Sequence, residues 1–110
     1  MPLYAVIGFD HPPHSMELRD MNRQEHRAYE LANDQGTRLA GALYDANGNQ
    51  CGTLKIVEAD NAAEVWDWYG REPFFNHDVY QTLHVIEWRL ALNRLQQMEW
   101  AAEHANPPGL

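Results

Sequence analysis

The sequence predicts an α+β fold, with strands and helices in the order β-α-β-β-α-β and one further helix at the end. Three observations predict it. Short runs rich in strand formers lie at residues 3–9, 38–44, 51–58 and 80–88. The turn Asp45-Ala46-Asn47-Gly48-Asn49 joins the middle two as a hairpin, because Asn-Gly tolerates positive φ. Helix-like stretches fill the gaps after the first and third strands. At 110 residues and 45% apolar, the chain is long enough for one domain with a real core.

The first strand is Leu3-Tyr4-Ala5-Val6-Ile7-Gly8-Phe9, a short apolar run that stops at Asp10. His11-Pro12-Pro13 makes a loop, Ser15 is placed to cap a helix, and Gly36 is placed to end it. In the third strand Leu54 and Ile56 share one face, and Thr53, Lys55 and Val57 the other. Asp60 or Asn61 caps a second helix running from Ala62 to about Gly70, with Val65, Trp66 and Tyr69 near one face. Glu72-Pro73-Phe74-Phe75 breaks it. In the fourth strand Leu83, Val85 and Glu87 alternate with His84, Ile86 and Trp88. A third helix is expected from Arg89 to Ala105, with Leu92, Leu95, Met98 and Ala102 at amphipathic spacing.

Two split β-α-β units of this kind pack as one four-stranded antiparallel sheet with two helices on one face, the ferredoxin-like arrangement. The other sheet face is left bare. A bare apolar face is covered either by the extra helix or by a second copy of the chain, and a homodimer packed sheet against sheet is expected.

The formal net charge of −8 argues against a nucleic acid or an anionic membrane as partner, since both attract basic surfaces. No apolar run approaches the roughly 20 residues of a membrane span. The single cysteine, Cys51, allows no disulfide within the chain and no cysteine-based zinc site. A lone cysteine and an N-terminus without signal-peptide features fit a cytoplasmic protein. No Gly-rich phosphate loop is present, so nucleotide use is not expected, and the function expected below needs no organic cofactor. His11 and His14 flank the Pro-Pro loop without a fixed helical spacing to His26, so no metal is expected either.

The candidate site lies in the first 26 residues. Asp10 closes a buried strand, and Arg19, Arg23 and His26 follow on the next helix at spacings of four and three, within reach of one helix side. A carboxylate that accepts from one imidazole nitrogen fixes the tautomer and leaves the other nitrogen to act as acid or base. With an ordinary pKa of about 6.5, such an imidazole exchanges protons near neutral pH. Asp10 and His26 are therefore the candidate catalytic pair. Arg23 and Arg19 are candidates for holding an anionic group of a small-molecule substrate. Asp45, at the mouth of the hairpin, is a third candidate contact, although a turn role explains it without chemistry.

These residues resemble the YciI-like (YCII-related) family. The likeness rests on the Tyr4-Ala5-Val6-Ile7 strand ending in Asp10, and on Ser15-Met16-Glu17-Leu18-Arg19 with Arg23 and His26. It continues through Gly36, Leu39-Ala40-Gly41-Ala42-Leu43, Asp45, Gly48, Gly52-Thr53-Leu54, Val57-Glu58-Ala59, Pro73-Phe74 and Val85-Ile86-Glu87-Trp88. It spans residues 3 to 88, so residues 1–88 are expected to be the domain and 89–110 a helical extension with a short tail. Two departures stand out: Arg27 follows the histidine where the family has an apolar residue, and Glu72-Pro73 replaces the usual Asp-Pro. The resemblance implies a ferredoxin-like dimeric α+β barrel, similar to muconolactone isomerases, with a His–Asp pair in a pocket. One branch is associated with dehydrochlorination of a chlorinated hydroxyquinol. By position, the pair would be Asp10 and His26.

The expected function is proton-transfer chemistry, an isomerisation or elimination, on a small carbonyl or hydroxy-aromatic acid. His26 would be the acid or base, Asp10 its orienter and Arg23 an anion contact. Two alternatives stand beside it: a non-catalytic ligand-binding or assembly domain, and a cofactor-free monooxygenase acting on a quinol.

Overall fold

The computed structural model describes residues 1–13 and 15–95. Strand β1 (Leu3–Asp10) leads to helix α1 (Met16–Ala32), the hairpin β2 (Thr37–Tyr44) and β3 (Gln50–Glu58), helix α2 (Ala62–Tyr69), a short helix α3 (Pro73–Asn76) and strand β4 (Tyr80–Trp88). The strands form one antiparallel sheet in the order β2-β3-β1-β4. The expected β-α-β-β-α-β order is present, with α3 added where a plain break was expected. That turn forms because the Glu72 side chain accepts from the backbone N–H groups of Phe74 and Phe75, and Pro73 suits a first helical position.

Other boundaries also have local causes. Helix α1 ends at Asn33 rather than Gly36, its C-cap N–H bonding to the Tyr29 carbonyl. Ser15 stands at the N-cap position, but its hydroxyl donates to the His11 carbonyl at 3.3 Å. Of the two candidate caps for α2, Asn61 is the one used: its side chain accepts from Glu64 N–H at 3.0 Å, while Glu64 accepts from Asp60 N–H at 3.0 Å. On α2 it is Trp68, with Val65 and Tyr69, that faces inward; Trp66 is exposed. A helix turns 100° per residue, which brings 65, 68 and 69 to one side and swings 66 away.

Alternation along the strands puts Tyr4, Val6, Gly8 and Asp10 on the helix side, with Thr53, Lys55 and Val57 of β3 beside them. The core is Tyr4, Val6, Val57, Ala59, Val65, Trp68 and Tyr69. Its helices are tied by the Tyr29 hydroxyl, which donates to the Trp68 carbonyl at 2.7 Å, and by Trp68 Nε1, which donates to the Asn33 carbonyl at 2.8 Å.

The opposite sheet face carries Phe9, Leu39, Leu54, His84 and Ile86. Phe9, Leu39, Leu54 and Ile86 are 36–55% exposed. Residues 90–95 cross one end of this face, where Leu90, Leu92 and Leu95 line a groove with Leu3, Leu39, Ile56 and Trp88. Residues 89–94 are not helical, so the expected terminal helix does not start at Arg89. The rest of that expected helix lies outside the described residues. Among the described residues no helix is long and apolar enough to cross a membrane.

Candidate functional site: a buried chain of charges under helix α1

Helix α1 buries Arg19, Asn22 and His26 and leaves Glu30 half-buried. Spacings of three, four and four make one stripe that faces the sheet. Opposite it, β3 presents Thr53 and Lys55, and Glu72 and Phe74 stand at the start of α3. Six charged or titratable side chains thus meet in the interior: Asp10, Arg19, His26, Glu30, Lys55 and Glu72.

They form two connected groups. In the first, Arg19 Nε donates to Asp10 Oδ2 at 2.8 Å and Nη2 donates to Oδ1 at 2.8 Å, a two-bond fork. Arg19 Nη2 also donates to Thr53 Oγ1 at 3.1 Å. Both charged side chains are 1% exposed. Burial works against the Arg19 charge, but the hydrogen bond and charge of Asp10 outweigh it and raise the guanidinium pKa further. The Tyr80 ring lies beside this pair, 5.7 Å from the guanidinium carbon. Gly8 makes that seat: a Cβ there would lie 2.8 Å from the ring. Burial, then the nearby Glu72 charge, push the Tyr80 phenol up, so it stays protonated.

In the second group, His26 Nδ1 bonds to Glu72 Oε1, and Nε2 bonds to Glu30 Oε1 at 2.5 Å. Glu30 Oε2 accepts from Lys55 Nζ at 2.9 Å. The imidazole stacks on Phe74, rings 3.9 Å apart and 3° from parallel. Lys55 Nζ sits 5.0 Å from the Trp68 ring centre. Burial opposes charge on the ring, yet the bonds to Glu30 and Glu72 outweigh it and raise the His26 pKa. For Glu30, burial alone would raise the carboxyl; the His26 hydrogen bond and the Lys55 charge prevail and lower it to about 2. The imidazole is held between two carboxylates, both of which favour its charged form. Arg19, His26, Glu30, Ala40, Thr53, Lys55, Phe74 and Tyr80 line a cavity of about 30 Å³, room for about two waters.

The sequence pattern of the YCII-related domain matches residues 3–89. The chain belongs to the YCII-related family. Among solved structures, this YCII-related chain is similar to 5-chloro-2-hydroxyhydroquinone dehydrochlorinase from Burkholderia phenoliruptrix, in complex with 2,5-dihydroxybenzoquinone. The identity is 22% and the TM-score 0.71, with 81% of this chain and 95% of that chain covered. A protein of Mycobacterium tuberculosis follows at 13% identity and a TM-score of 0.46, covering 84% of this chain and 98% of that one. No curated protein matches the chain in sequence. The first likeness establishes the ferredoxin-like α+β fold.

In this YCII-related domain the expected Asp10–His26 bond is not made. Asp10 is committed to Arg19, and the carboxylates on His26 are Glu72 and Glu30. The reason is helix geometry: Arg19 lies two turns before His26 on the same stripe, and it is Arg19 that reaches the end of β1. Arg23 lies about 40° past Arg19 around the helix, at the solvent edge of that stripe. It pairs with exposed Asp20 at 2.8 Å and lines a separate groove between α1 and the hairpin, with Arg27, Tyr44 and Gln50. His14 lies outside the described residues, and His11 is exposed.

Asp45 is exposed and serves the turn. Its Oδ1 accepts from Asn47 N–H at 2.9 Å and Asn49 N–H at 3.0 Å, while Gly48 takes φ +80°. Asp45→Ala is expected to cost about 1 kcal/mol, the worth of a local side-chain cap, and to leave any His26-dependent reaction unchanged. Urea unfolding and a turnover assay check both halves.

Sequence reasoning missed Glu72, Glu30 and Lys55. Each had a signal. Glu72 precedes a proline, Glu30 is four residues past His26, and Lys55 stands between Thr53 and Val57 on the inward face of β3. The pKa shifts predict a stability curve. His26, raised on folding, contributes fully below about pH 6.5 and loses that contribution as pH rises through its folded value. Glu30, lowered on folding, contributes above pH 4.5 and loses its contribution as pH falls toward about 2. Urea midpoints are therefore expected to be highest between these limits and to fall on both sides. A midpoint that keeps rising from pH 6 to 9 contradicts the His26 assignment.

Proposed function

We propose that the chain is a small enzyme that moves a proton on a small carbonyl compound or hydroxy-aromatic acid, in an isomerisation or an elimination. His26 is the acid and base, and Glu72 holds its tautomer from behind. The observation that supports this reading is an imidazole at the wall of a cavity, with Nδ1 bonded to the fully buried Glu72 carboxylate and Nε2 bonded to Glu30, which lines the same cavity. Nε2 gives its proton to the substrate or takes one from it. Arg19, Lys55 and the protonated Tyr80 line the same space and are placed to stabilise negative charge that develops on substrate oxygen. In this reading Asp10 acts through Arg19: it holds the guanidinium in place, and Arg23 and Asp45 take no part.

The dehydrochlorinase of like fold acts, by its name, on 5-chloro-2-hydroxyhydroquinone, which makes chlorinated quinols the first substrates to try. Chloride release by the wild type, absent in His26→Asn, is the expected result. Oxygen uptake without chloride release would instead favour the cofactor-free monooxygenase. No turnover of chlorinated quinols or enolisable keto acids would overturn the proposal. One observation favours a second reading, a non-catalytic binding domain: both His26 nitrogens are already bonded, so the ring also ties α1 to α3. Under that reading His26→Asn changes stability alone.

The assembly we propose is a homodimer joined through the open sheet face, whose Phe9, Leu39, Leu54 and Ile86 are exposed apolar side chains on one surface. The wild type is expected to sediment as a dimer and Ile86→Lys as a monomer. A monomeric wild type at micromolar concentration would remove the dimer. Cys51 is a free thiol, and we place the protein in a reducing, cytoplasmic compartment.

A further inference from the structure

Of the charged side chains in the two buried groups, Glu30 alone opens to solvent. Its side chain is 34% exposed, whereas those of Asp10, Arg19, His26, Lys55 and Glu72 are 5% or less. It is also the member that bridges two cations, giving one oxygen to His26 Nε2 and the other to Lys55 Nζ. We propose that Glu30 occupies the binding place of a small oxyanion, a carboxylate or a phenolate, and that this ligand displaces it to reach His26. The inference deepens the reading above and rests on the His26 cavity being where substrate enters.

The two donors are fixed without help from Glu30. His26 is held by the Nδ1 bond to Glu72 and by stacking on Phe74. Lys55 is held by its seat on β3 and by the rings of Trp68 and Tyr69, at 5.0 and 6.0 Å. Withdrawing the Glu30 carboxylate leaves a pair of N–H donors aimed at one planar anion. Glu30 stands near the end of α1, and a change of side-chain rotamer suffices to carry its head group into water. The exchange conserves charge: one carboxylate leaves, one oxyanion enters, and neither cation is left buried alone. The Phe74 and Tyr80 rings line the same cavity as Glu30. Those walls suit a flat ligand. Chemistry follows from the same step. With Glu30 gone, the proton on Nε2 lies against the ligand's oxygen instead of an internal carboxylate.

The test is a titration of acetate, the size of the group removed, into Glu30→Ala at constant ionic strength, read from the His26 ring resonances. The His26 pKa is expected to fall in Glu30→Ala, and acetate to restore it saturably. Binding is expected to be roughly tenfold or more tighter than in the wild type, about the worth of one charge-assisted hydrogen bond. Adding Lys55→Met is expected to abolish it. If Glu30→Ala does not fold, Glu30→Gln receives the same titration and is also expected to bind acetate more tightly than the wild type. Acetate that leaves the ring unmoved, or binds wild type and variant alike, overturns the inference. None of these readings uses turnover. Acetate binding in a protein that turns over nothing keeps the inference and removes the enzyme; turnover without acetate binding does the reverse.

Discussion

Exchanging Arg19 for methionine is expected to cost the fold about 3–5 kcal/mol, the largest loss of any single substitution considered. The variant keeps most of the side-chain volume and removes the charge. Asp10 then sits 1% exposed with both guanidinium bonds gone. A buried carboxylate without its cation must either take up a proton or pull water into the core, and both are costly. The double variant Arg19→Met/Asp10→Leu separates the two contributions: with no charge left behind, it is expected to recover most of the stability. Arg23→Ala is the control. Its exposed pair with Asp20 belongs to a class worth about 0–1 kcal/mol. Urea unfolding of the four proteins decides the matter. A loss below about 1 kcal/mol in Arg19→Met would mean that the fork contributes far less than its burial implies.

The second large effect is kinetic. Once a substrate is in hand, His26→Asn is expected to lower kcat/KM by roughly 10²–10⁴-fold, the usual contribution of a positioned acid–base group. Asparagine offers a donor near the place of Nδ1, so Glu72 keeps a partner, but it carries no proton that can be exchanged near neutral pH. Glu72→Gln is expected to leave a smaller defect with an altered pH profile, since the ring stays while its bias toward the charged form weakens, and to loosen the start of α3, because an amide nitrogen cannot accept from Phe74 or Phe75 N–H. Near-UV circular dichroism on each variant distinguishes lost chemistry from lost packing against Phe74. Activity in His26→Asn within tenfold of wild type would end the acid–base role.

The order of elements along the chain and the hairpin were legible because periodicity and turn chemistry are local. Asn47-Gly48 needs positive φ at Gly48 and takes it, and the alternation in β3 and β4 sorts side chains as their spacing implies. The YCII-related likeness was legible for the same reason, since it lies in the strands and α1. The pairing of charges was not. A spacing of 19-23-26 and a stripe of 19-22-26-30 both fit a helix; the choice depends on which way α1 is rotated over the sheet, a tertiary fact. Glu72 lies 46 residues from His26, and nothing local connects them. Its role is visible only once α3 is known to dock beside α1. Glu72, where the plain reading saw only a helix break, is a partner of the histidine.

The two salt-bridged groups hang from one helix, and that bears on which length changes the gene tolerates. Arg19 and His26 stand seven residues apart, close to two turns. Deleting or inserting a single codon between them turns one relative to the other by about 100° and shifts it by about 1.5 Å. Either Asp10 or Glu72 then loses its cation, whichever end the helix keeps. The hairpin tip at residues 45–49 has no such linkage, because its hydrogen bonds close on Asp45 and Asn49 alone. Natural variation in length is therefore expected to collect at the tip and to avoid α1, and a library of one-codon insertions scored for soluble expression should reproduce that map.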